Sequence, residues 1–178
     1  MTALQVLLMM ALVLTGPRGS SGLNDYVDAI AHTDATPEEQ LVLLTIGFRE
    51  NTYHIESRTP SFGVTDYAAH HPDEVITVQR GADLALRFIR LIRRARCPGS
   101  SLAVVLGRYH HGNGVDADIG MADTTRRPGC YADALSRRQT EDVARMRYGA
   151  AHPTSWMLHD AERRMEALRH RHLARKTP

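Results

Sequence analysis

The chain has 178 residues, of which 43% are hydrophobic, 24% charged and 6% aromatic. That is enough apolar material for a sizeable core, and too much for a disordered chain. Lys and Arg number 22 against 20 Asp and Glu, a formal net charge of +2, so no global field selects nucleic acid and any charged partner must be met by a local patch.

Residues 1–22 open with an apolar run from position 3 to 14, closed by Thr15-Gly16-Pro17 and small residues. The run is too short to span a bilayer comfortably. Its length and the breaker pair fit a secretory signal peptide, which would make the protein exported, periplasmic or extracellular. No Lys or Arg precedes the run, however, and a docked N-terminal apolar helix is the alternative. Nothing else in the sequence is apolar enough to span a membrane, so no stable span is expected once a signal is removed. Residues 23–150 are read as the main domain, and 151–178 as a C-terminal amphipathic basic helix.

Within the main domain, Leu23, Tyr26, Val27 and Ile30 recur at helical spacing. A second helix is predicted over 36–51. Thr36 suits the N-cap, Pro37 the first helical position, and Glu39 lies three residues on, where it completes a capping box. Glu50, near its end, shares a face with Ile46 and Leu43, four and seven residues back. A carboxylate there is expected to be partly withdrawn from water, which favours its neutral form, as a general acid requires. Glu50 is therefore the leading candidate for chemistry; the plain alternative is a helix-terminal Glu turned to solvent.

The helical period is lost from 52 to 75, where Thr59-Pro60-Ser61 and His71-Pro72 mark loops, and a long irregular connection is expected. Residues 77–96 are helical again, with Leu84, Phe88, Leu91, Ile92 and Ala95 on the core stripe and Arg80, Arg87, Arg90 and Arg94 on another face. A short, apolar and therefore buried helix over 102–109 leads into Tyr109-His110-His111-Gly112-Asn113-Gly114, a polar glycine-rich loop. Helices over 132–148 and 154–174 complete a mainly α chain with no alternating strands and no internal repeat. Cys97 and Cys130 are right in number for one disulfide, and neither has a partner at metal-ligand spacing. His70, His71, Asp116 and Asp118 are poorly spaced for an ion, so no metal is expected.

The order of these features resembles the lysozyme-like lytic transglycosylases and goose-type lysozymes over roughly residues 37 to 114. The family's acid followed by Ser after an apolar helix reads here Arg49-Glu50-Asn51. Its small residue, any residue, then Gly-Leu-Met-Gln reads Ser61-Phe62-Gly63-Val64-Thr65-Asp66. Its Ala-Tyr-Asn with a following small residue and Gly reads Arg108-Tyr109-His110-His111-Gly112. Asn51, Asp66 and His110 depart from the pattern, each keeping a polar side chain.

The resemblance implies a lysozyme-like helical domain with a long irregular active-site loop, probing peptidoglycan as a cofactor-free monomer. Glu50 would be the acid that cleaves the β-1,4 bond between N-acetylmuramic acid and N-acetylglucosamine. Ser61, Phe62, Gly63, Asp66, Tyr109, His110 and Asn113 would line the glycan groove. Hydrolase and transglycosylase chemistry both remain open. The alternatives are a lysozyme-like module that binds glycan without cutting it, and a helical nucleic-acid or regulatory module using the Arg-rich helix.

Overall fold

A computed structural model describes residues 1–17, 19–55, 61–110 and 130–174, with the Asp66 side chain left out. These residues are mainly helical and contain no strand. Eight α-helices follow in order: α1 Ala3–Thr15, α2 Leu23–Ala31, α3 Pro37–Asn51, α4 Thr65–His70, α5 Val78–Leu91, α6 Leu102–His110, α7 Ala134–Ala151 and α8 Ser155–Ala174. A 3-10 turn over Ser61–Gly63 precedes α4, and a π-helical turn over Ile92–Arg96 extends α5.

The apolar N-terminal run forms a capped helix that packs on the rest of the chain. Thr2 and Gln5 form a capping box at its start, and Leu8, Met9, Ala11 and Leu12 are fully buried. Helix α1 lies against α2, α7 and α8, and Gly149 of α7 makes the close approach possible: a Cβ there would stand 2.3 Å from Val13 Cγ2. Helix α8 contributes Met157, Ala161, Met165 and Leu168 to the same core. The divisions at 22 and 150 thus separate elements that share one hydrophobic core. No described helix is long and apolar enough to cross a membrane.

Helix α3 runs through the centre of this core, with residues 41–47 all buried. Its start follows the predicted chemistry. Thr36 accepts from the Glu39 amide at 3.3 Å, and the Glu39 carboxylate accepts from the Thr36 amide at 2.8 Å. Helix α5 is amphipathic as expected, and several arginines on it and on the turn that extends it are ion-paired. Arg90 pairs with Glu39 at 3.0 Å and Asp34 at 2.9 Å, Arg93 with Glu38 at 3.0 Å, and Arg80 with Glu74 at 2.7 Å.

The stretch over 52–75 is less irregular than its sequence suggests, because the 3-10 turn and α4 lie within it. At six residues, α4 is shorter than two turns, so its apolar period never repeats. Side chains fix it instead: Tyr67 stacks on His71 at 4.0 Å between ring centres, and its hydroxyl reaches Glu74 at 2.7 Å.

Cys97 and Cys130 form a disulfide with their Cα atoms 5.7 Å apart. It joins the end of the π turn to the approach of α7, so α6 is carried in a closed loop. For a sequence separation of 33 residues, the chain-entropy view assigns such a link about 3–4 kcal/mol.

Candidate active site

Glu50 sits in the last turn of α3, one turn beyond the fully buried Ile46. The residue as a whole is exposed and its side chain keeps 28% exposure, so the carboxylate stands outside the core, at its rim. The helix stops immediately afterwards in an unusual way. Thr52 and Tyr53 are both left-handed, at φ 52° and 58°, and Phe62 in the facing 3-10 turn has φ 62°. These are the three positive-φ residues other than glycine among the described residues, and for a β-branched Thr that conformation is strained. All three flank the acid.

Packing holds them there. The Tyr53 ring is fully buried against Tyr26 and Phe48, and its hydroxyl donates to the Leu44 carbonyl at 2.8 Å. The Phe62 ring is fully buried against Tyr26, 4.7 Å between centres. Strain retained by surrounding structure in this manner concentrates at functional sites.

The 3-10 turn presses its backbone onto the acid. Gly63 has φ +65°, and a Cβ on it would lie 2.6 Å from both Cδ and Oε2 of Glu50. A side chain would therefore collide with the carboxyl group, and glycine is what the position requires. Ser61 is buried beside Tyr26, whose hydroxyl also receives the Asn51 side-chain amide. Burial raises the Tyr26 pKa, so this phenol stays neutral. The Asn51 Oδ1 is buried and makes no hydrogen bond.

Helix α6 supplies the opposite wall. Tyr109 is buried, its ring 5.1 Å from that of Phe88, and its hydroxyl donates to the Phe62 carbonyl at 2.6 Å. Burial first, then the charge of Glu50, pushes its ionisation far up, so Tyr109 is a fixed neutral donor. It secures the strained turn that carries Gly63.

His110 reaches the acid itself. Its Nδ1 lies 3.3 Å from Glu50 Oε1, and its Nε2 lies 2.8 Å from Gln139 Oε1 on α7. An amide oxygen only accepts, so Nε2 carries a hydrogen and Nδ1 is the nitrogen that faces Glu50. Burial works against the imidazolium, but the bonds to Glu50 and Gln139, with Asp133 nearby, outweigh it and raise the pKa.

Glu50, Ser61, Phe62, Gly63, Tyr109 and His110 come together from three separate segments, but Ser61, Phe62 and Tyr109 are buried behind Glu50 and hold the turn beside it instead of lining an open groove. The Asp66 side chain and Asn113 lie outside the described residues, as do Asp116 and Asp118. His110 differs from its expected role, since it engages the acid directly. Two contributors had no sequence signal. Gln139 is fully buried and aims the imidazole, and Asp142, one turn further along α7, binds Arg49 Nε at 2.6 Å and so ties α7 to α3 beside Glu50. Both are polar residues on a predicted helix, distinguished only by partners distant in sequence.

Comparison of the chain with protein families, with curated proteins and with solved structures finds no match.

Proposed function

We propose that this protein cleaves the β-1,4 bond between N-acetylmuramic acid and N-acetylglucosamine in peptidoglycan, with Glu50 as general acid and then general base. The observation that carries the reading is the fit of the Gly63 backbone against a half-open Glu50 carboxyl, in a turn secured by the Tyr109 hydroxyl. These are the groups that the lysozyme-like resemblance names, and the contacts join all three of its motifs. The disulfide supports an oxidising, exported setting, in which such a substrate would be met.

In the first step Glu50 gives its proton to the glycosidic oxygen as the C1–O bond breaks, and positive charge develops on the muramic ring. In the second step the carboxylate takes a proton from the incoming nucleophile. If that nucleophile is water, the product is a reducing sugar; if it is the ring's own 6-hydroxyl, a 1,6-anhydro end forms and no water is consumed. The placement of His110 supports the first step: with Nε2 bonded to Gln139, its Nδ1 faces Oε1 of Glu50 at 3.3 Å, so a proton-carrying group stands beside the acid.

The test is Glu50→Gln on purified sacculi, with circular dichroism showing the fold intact. The expected result is loss of muropeptide release by a factor of about 100 to 10,000, the range general acids contribute. Release at the wild-type rate would remove Glu50 from the chemistry. Sacculus binding with no release even by the wild type would favour the non-cleaving glycan module. Mass spectrometry of the products separates the two nucleophiles, because an anhydro end is lighter by one water.

A further inference from the structure

Away from the Glu50 rim, the C-terminal ends of α2 and α8 bring three potential ligands together: Asp28, His32 and His172 each offer one donor atom, and these atoms lie within 4.8 Å of one another. Asp28 and His32 are four residues apart, on one face of the helix end. His172 comes from α8, far along the chain. His32 Nδ1 is 3.4 Å from Asp28 Oδ1, and His172 Nε2 is 3.1 Å from the same oxygen. Four-coordinate zinc bonds of about 2.0–2.1 Å separate neighbouring ligand atoms by roughly 3.3 Å, so the two spacings are already those of a metal's coordination shell.

A second observation concerns that oxygen. Asp28 Oδ1 is shielded from solvent and makes no hydrogen bond, although two imidazole nitrogens flank it. His172 hydrogen-bonds instead to Oδ2, at 3.2 Å, and His32 Nδ1 to the Asp28 carbonyl, at 2.7 Å. A buried carboxylate oxygen without a hydrogen-bond partner is costly, and an ion at the centre of the three donors would satisfy it. His32 would exchange its carbonyl bond for the metal. That exchange is open to it, because the side chain is 59% exposed and free to turn.

We infer that Asp28, His32 and His172 form a binding site for a zinc-type divalent transition ion, which pins the last turn of α8 onto α2. Two imidazoles and one carboxylate are a donor set for such an ion, whereas calcium and magnesium take mostly oxygen ligands. Towards the start of α2, the same pair of helices is joined by Arg171 to Asp25 at 2.6 Å and Arg164 to Asn24 at 3.0 Å. The inference does not depend on the reading of Glu50.

The full chain, freed of metal with a chelator, is titrated with Zn²⁺ by calorimetry, and its melting is followed in parallel. One equivalent is expected to bind and to raise the melting temperature, while Mg²⁺ does neither. His32→Ala, exposed and therefore safe for the fold, and His172→Ala are each expected to weaken binding at least about 100-fold. His170→Ala, on the outer face of the same turn, is expected to leave it unchanged. Co²⁺ in place of Zn²⁺ should give the intense visible absorption of a four-coordinate site, absent in the two alanine variants. No binding by the wild type overturns the assignment. Undiminished binding in His32→Ala and His172→Ala overturns it equally, because the ion then sits on other residues.

Discussion

Helix α3 carries a paired acid at each end, and the two pairs are built differently. Glu39, in the first turn, is buried and saturated: Arg90 holds both of its oxygens at 3.0 Å, and the Thr36 amide donates to one of them at 2.8 Å. Glu50, in the last turn, faces the His110 imidazole at 3.3 Å, a glycine where a side chain would interfere, and solvent on one side. A carboxylate whose lone pairs are all occupied by a permanent cation cannot exchange a proton near neutral pH. The two glutamates of one helix thus differ in what surrounds them, a permanent cation at Glu39 and a titratable imidazole with open space at Glu50.

The sharpest way to break this comparison is to neutralise each acid in turn. Glu50→Gln is the activity variant described above, and its stability should stay within about 0.5 kcal/mol of the parent, as for a partly exposed side chain. Glu39→Gln should do the reverse, retaining activity while losing about 2 kcal/mol, the scale of hydrogen bonds to a charged group. The pH dependence follows. Arg90, first, and the Thr36 amide lower the Glu39 pKa from 4.5 to about 2 despite burial. A lowered folded-state pKa contributes stability that is complete above the unfolded value and is lost as pH falls through the folded one. The gap between parent and Glu39→Gln in urea melts should thus narrow between about pH 4.5 and 2. An unchanged gap would mean that the pair contributes no charge-dependent stability.

Next in size is Gly63→Ala. The new Cβ meets the far end of a flexible side chain, so the fold survives and the Glu50 carboxyl is the part displaced. A misplacement on the order of 1 Å at a reacting group lowers rate about 100-fold. Gly99 provides the control: its φ is +70°, and nothing lies within 4 Å of the corresponding Cβ. Gly99→Ala should share the backbone strain, about 1 kcal/mol by denaturant melts, and leave the rate alone. Equal rates in the two variants would mean that the approach of Gly63 to Glu50 has no functional content.

Local chemistry was readable in this chain and long-range pairing was not. Thr36, Pro37 and Glu39 announce the start of α3 because a cap is written within four residues. Glu50, Ser61, Gly63 and Tyr109 could be selected because a resemblance supplied their order. Gln139, Asp142 and Tyr26 could not, since each is defined by a partner on another helix. The partners of the arginines on and after α5 were hidden for the same reason: the sequence shows their charge, whereas the pairing with Glu39, Asp34, Glu38 and Glu74 appears only in the fold. Residues 1–22 presented an apolar run read first as an export signal and alternatively as a docked helix, and only Gly149 of α7 and the buried face of α1 reveal how it packs.

The smallest expected effect is the one that separates a partner of Glu50 from a side chain that only packs beside it. His110→Asn installs the residue that the lysozyme-like pattern has at this position, so activity at the optimum should stay within about tenfold of the parent. The pH profile should not stay the same. Burial opposes the His110 imidazolium, but its bonds to Glu50 and Gln139, with Asp133 close by, raise its pKa above 6.5. The charged form is then complete below 6.5 and is lost as pH rises through the raised value. If the charged imidazole supports the proposed acid, the parent should therefore lose activity on the alkaline side as pH rises through the raised His110 value. His110→Asn has no imidazole proton to share, so its alkaline limb should move. Identical limbs in parent and variant would show that the imidazole merely fills space beside Glu50, and the contrast with Glu39 would then rest on exposure and Gly63 alone.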